Sequence, residues 1–136
     1  MGCREVEVMK TAAAVAHMTI RGTGVLLILL GVIFWTGNAL QLIPVHIFLG
    51  IVLVLSLWML AAIAGASGVQ MRWVILAVAW GLILPVLGLT QDRLLTGGWH
   101  WTIQVLHLLI GLGAMGQGEG LAMRMRRAGS VPVRAA

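Results

Sequence analysis

The chain has 136 residues, 60% of them hydrophobic and 10% charged, with a mean hydropathy of +1.03. That is too little polar surface to coat a soluble globule and more apolar length than one small core buries, so the sequence reads as an integral membrane protein. The net charge of +5 is ascribed to topology and lipid headgroups; no basic groove with interleaved aromatics is visible, and nucleic acid is not an expected partner.

Residues 1–21 read as a cytoplasmic N-terminal segment that leads into the first helix. Glu5 and Glu7 spoil a basic n-region and no small-residue cleavage pattern follows, so the segment is not expected to be an export signal. Gly2 lacks the Ser or Thr that myristoylation wants at the position of Val6. Cys3 is the only cysteine, which excludes a Cys-X-X-Cys redox pair and the disulfide-generating chemistry that needs one.

Nothing charged lies between Arg21 and Arg72, between Arg72 and Asp92, or between Arg93 and Glu119. The first gap is about twice the ~20 residues needed to cross ~30 Å of hydrocarbon. Asn38, Gln41 and Pro44 break it near the middle, so it holds a helical hairpin with spans over 22–40 and 44–64. Pro44 suits a helix start, where its missing N–H does no harm. Gly65, Ser67 and Gly68 form the next turn, and a third span over 71–89 contains Pro85, which should loosen the helix locally. After a polar loop with Asp92 and Arg93, a fourth span over 99–118 fades into Gly116, Gly118 and Gly120. A basic cytoplasmic tail, 121–136, completes the chain.

The predicted fold is therefore an all-α membrane protein, a four-transmembrane-helix bundle over 22–120. The face with both termini and the turn between spans two and three carries Arg4, Lys10, Arg21, Arg72, Arg124, Arg126, Arg127 and Arg134; the other carries only Arg93. The positive-inside bias then places both termini in the cytoplasm and the chain in the cell's inner (cytoplasmic) membrane as a multi-pass protein.

One short pattern occurs twice, as His46-Ile-Phe-Leu-Gly50 and His107-Leu-Leu-Ile-Gly111. Ionisable side chains inside a bilayer are costly and point to a functional site with a partner. A weak repeat accompanies the pattern: span one carries Gly31 before the His46 helix, and span three carries Gly81 before the His107 helix. Along span four, His100, Gln104, His107, Gly111, Ala114 and Gly118 share a stripe that should face the interior. An imidazole binds iron through one nitrogen while the other donates to a carbonyl or an acceptor such as Gln104. A glycine one turn from each ligand leaves room for a flat macrocycle, as at bis-histidine haem sites between facing helices. Small residues also serve ordinary helix packing, and His46 or His100 also suits the membrane interface. His46 with His107 is the preferred pair, although their sequence heights differ by several ångströms; His100 is held in reserve. His17 reads as an interfacial residue at the cytoplasmic end, where a second haem would need Met115 or Met123.

On His46, His107, Gly50 and Gly111, the chain resembles the small four-helix membrane b-type cytochromes. The resemblance implies haem b held by a histidine pair near the extracytoplasmic face, exchanging electrons with a quinone or a partner redox protein. Two alternatives stay open: a cofactor-free structural or accessory subunit of a larger respiratory or photosynthetic assembly, and a copper or zinc site on His46, His100 and His107. Membrane lipid is a partner in every case, and self-association through an outward glycine face is compatible with each. No catalytic triad, carboxylate pair or phosphate loop is present, so an electron carrier or accessory subunit is favoured over an enzyme. A proton-coupled exporter would need an intramembrane carboxylate, and Asp92 and Glu119 read as loop and helix-end residues.

Overall fold

The computed structural model describes residues 3–129; Gly2, Arg134 and the tail beyond Gly129 lie outside the described residues. Four helices make up almost all of it: α1 over Cys3–Trp35, α2 over Ile43–Ala66, α3 over Met71–Thr90 and α4 over His100–Gly129. Short 3-10 turns at Leu40–Leu42 and Gln91–Arg93 flank α2 and α3. Three stretches, Arg4–Trp35, Leu40–Ala66 and Met71–Arg93, are long and apolar enough to cross a membrane. α4 is not among them.

The first two turns are built alike. After α1, Gly37 takes φ 76°, its N–H donates to Phe34 O at 2.9 Å, and the next N–H, of Asn38, donates to Ile33 O at 3.2 Å. After α2, Gly68 takes φ 81°, with Gly68 N–H on Gly65 O at 3.2 Å and Val69 N–H on Ala64 O at 3.0 Å. Both are the left-handed glycine stop that satisfies carbonyls a helix end otherwise leaves open. Pro44 stands in the first turn of α2, where no N–H is needed, and α3 continues through Pro85 as an unbroken helix.

α1 packs against α2 and α4, α3 packs against α2 and α4, and α2 also meets α4 across the bundle. Close approach rests on side chains seated over glycines. The Trp58 indole of α2 lies over Gly81 of α3 and donates to Val78 O at 3.2 Å. One helix further on, Trp80 of α3 lies over Gly113 of α4 and donates to Ile110 O at 2.8 Å. In each case the accepting carbonyl is three residues before the glycine, so the indole covers the gap and satisfies its own N–H in one placement. Between α4 and α1, Met115 covers Gly24 and Ile20 covers Gly118.

The two ends of the bundle differ in packing. At the end where α1 begins and α4 finishes, Ala16, Ile20, Leu57, Leu60, Ala61, Ala64 and Leu121 are buried. At the other end, no residue of 25–35, 43–50 or 85–90 is fully buried, and within 100–112 only Ile103 is.

Two differences from expectation concern helix ends. α1 starts at Cys3, so the N-terminal segment is helical, and its threonine hydroxyls bond back along the helix: Thr11 to Glu7 O at 3.0 Å and Thr19 to Val15 O at 2.9 Å. α4 runs through Gly116, Gly118 and Gly120 to Gly129 because Ile20 packs on Gly118 and Arg124 donates to Gly120 O at 2.9 Å. The Ile20 contact from α1 and the Arg124 bond within α4 offset part of the ~1 kcal/mol that each glycine costs a helix relative to alanine.

Candidate functional site

His46 lies in the first turn of α2 and His107 two turns into α4, both at the end with few fully buried residues. Their ring centroids are 6.3 Å apart with the planes at 45°. The height difference inferred from sequence is taken up because α4 begins further out than α2, with His100 as its first residue. His100 points to its own loop, with Nδ1 3.4 Å from Leu94 O.

The surroundings come from all four helices. Phe34 of α1 meets the His46 ring edge-on at 5.5 Å. A Cβ at Gly31 would stand 4.0 Å from His46 Cε1, and one at Gly88 of α3 would stand 3.0 Å from His107 Cε1. Gly88 therefore admits the His107 ring, and an alanine there would crowd it. At Gly50 and Gly111 an added Cβ would meet nothing within 4 Å among the described residues. Gly81 is taken up by Trp58. Phe34 and Gly88 were not singled out from sequence. Gly88 repeats Gly81 two turns on along one face of α3, a spacing that could have found it.

Both imidazoles have a buried Nδ1 with no hydrogen-bond partner. Gln104, expected to orient one ring, satisfies neither Nδ1. A buried polar atom left this way costs about 1–3 kcal/mol, and here two such atoms sit on adjacent rings. Two imidazoles on opposite sides of one ion, with metal–nitrogen bonds of ~2 Å and each ring centre about 1 Å behind its nitrogen, would hold their centroids about 6 Å apart, and those on a tetrahedral ion about 5 Å. The pair has the first of these spacings. Among the described residues no group of three His, Cys, Asp or Glu side chains comes together, so His100 does not join the pair. Among the described residues, one ion here would meet two imidazole nitrogens and no third His, Cys, Asp or Glu beside them.

A separate polar cluster lies at the tightly packed end. His17 Nε2 is 3.0 Å from Glu119 Oε2, a contact with the length but not the angle of a hydrogen bond, and Arg21 Nε is 3.4 Å from Glu119 Oε1. His17 thus faces a carboxylate, while Met115 lies over Gly24. From sequence, Glu119 read as a helix-end charge; its place between helices follows only from the register of α4 on α1. Nearby, the Arg124 guanidinium stacks on Trp73 at 3.7 Å.

Comparison with protein-family models, with curated proteins and with solved structures found no match.

Proposed function

We propose that this is a haem b-binding electron-transfer protein of the cytoplasmic membrane, in which His46 and His107 would hold the haem iron. The observation that carries the reading is the ring pair itself, 6.3 Å between centroids with each Nδ1 buried and unpartnered. Two imidazoles would suit a group that brings its remaining ligands with it, whereas zinc and copper sites usually draw further ligands from the protein. The third imidazole that a copper or zinc site on His46, His100 and His107 requires is turned to Leu94.

Haem would supply the one-electron chemistry. The chain's own residues ligate, position and shield. Gly31 and Gly88 admit the rings, Gly50 and Gly111 leave open space one turn from each histidine, and Phe34 braces His46. Few residues at that end of the bundle are fully buried. The two imidazoles would ligate the iron in either oxidation state, and the apolar surroundings would disfavour the extra charge of the ferric state.

In this reading α4 is the fourth crossing and both termini are cytoplasmic, as the distribution of Arg and Lys favours. The histidine pair then sits near the extracytoplasmic face, within reach of a quinone or a redox protein there. A cofactor-free accessory subunit is the second reading, and the Trp58 and Trp80 interlocks favour it by holding the helices together without a cofactor. Haem analysis of the protein purified from haem-replete cells separates them. One haem b per chain, lost in both His46→Ala and His107→Ala, supports the electron carrier; a folded, colourless protein supports the accessory subunit.

A further inference from the structure

α1 and α4, with 33 and 30 residues, run past the end of the 24-residue α2. Their projecting ends and the last turn of α2 enclose a groove of about 620 Å³. Its walls are apolar, with Met9 from α1, Ile63 from α2 and Met125 from α4. Lys10 and Arg126 also line it, and neither is in an ion pair among the described residues. No Asp or Glu is among the described residues that line it. His17, 9% exposed, forms part of its wall.

We propose that this groove binds one anionic phospholipid from the surrounding bilayer, its phosphate between Lys10 and Arg126 and its hydrocarbon against the apolar walls. Two cations that line the groove and make no ion pair among the described residues select a negative group, and basic pockets between membrane helices hold such headgroups. The apolar lining selects an amphiphile over a free anion. The site lies at the opposite end of the bundle from His46 and His107 and does not depend on haem.

Native mass spectrometry of the full-length protein released from detergent micelles tests this. Phosphatidylglycerol, phosphatidylcholine with the same chains, and inorganic phosphate are added separately. The proposal predicts retention of one phosphatidylglycerol per chain in preference to phosphatidylcholine, with no retention of inorganic phosphate. In the K10Q/R126Q double variant, both changes being at side chains on the groove, the affinity for phosphatidylglycerol should fall roughly thirtyfold. The charge-conserving K10R/R126K variant should recover it, and Arg93→Gln at the other end should change nothing. Equal retention of the two lipids, an unchanged affinity in K10Q/R126Q, or phosphate bound as tightly as the lipid would each overturn the proposal.

Discussion

Trp80 occupies the space where Gly113 has no side chain: a Cβ there would stand 2.6 Å from the indole Cζ2 and 2.8 Å from Nε1. The contact joins α3 to α4, and the same indole donates to Ile110 O. Alanine at 113 forces a rigid ring off its acceptor. Gly113→Ala is expected to destabilise the bundle by about 1–3 kcal/mol, and Trp80→Phe by about 1 kcal/mol from the lost hydrogen bond. Reversible unfolding by SDS titration in mixed micelles measures both. Gly116→Ala, with nothing within 4 Å of the added carbon among the described residues, serves as the near-neutral control.

Gly88 has a different task, since its missing Cβ admits the His107 ring. Gly88→Val should push that ring away from His46 and lower haem affinity roughly 10- to 100-fold, the scale of changes that misorient a metal ligand. Gly111→Leu should leave the stability of the haem-free bundle unchanged and still reduce haem content, because the space it fills is open in the bundle. Haem titration followed by absorbance, alongside SDS unfolding of the haem-free protein, distinguishes the two effects.

The His17–Glu119 contact is structural in this account. Glu119 keeps 44% of its side chain exposed, so water screens the pair and Glu119→Gln should cost about 1 kcal/mol or less. His17→Ala should leave the haem content at the wild-type value. A fall in haem content in His17→Ala would place a ligand at the wrong end of the bundle.

Arg124 bridges α4 to α3 by stacking on Trp73 and donating to Gly120 O. Arg124→Ala should destabilise that end by about 0.5–2 kcal/mol, and Arg124→Lys should recover only part of the loss because an ammonium does not stack as a planar guanidinium does. Unfolding midpoints of the two variants, compared in one detergent, give the ranking.

Much of this was legible in the residues because punctuation and charge are local signals. Pro44, Gly68 and the uncharged gaps mark the ends of α2 and α3 without reference to any neighbour. The start of α1 and the end of α4 were not legible. Residues 3–21 are polar enough to pass for a tail, and the late glycines of α4 look like helix breakers until Ile20 is placed on Gly118. The same limit applies at the candidate site. His46 and His107 announce themselves as polar residues in apolar helices, but Gly81 and Gly88 are equivalent in one dimension. Only the helix register assigns Trp58 to the first and His107 to the second. Glu119 likewise gains its partners His17 and Arg21 only in three dimensions.

The most direct measurement of the central claim is the dithionite-reduced minus oxidised absorption spectrum of the purified protein, with His46→Ala, His107→Ala and His100→Ala beside it. The account predicts a Soret band and sharp reduced α and β bands in wild type and His100→Ala, with the low-spin pattern lost in each of the other two. A low-spin spectrum that survives removal of His46 or His107, or a wild-type protein that takes up no haem when supplied with it, would contradict the account.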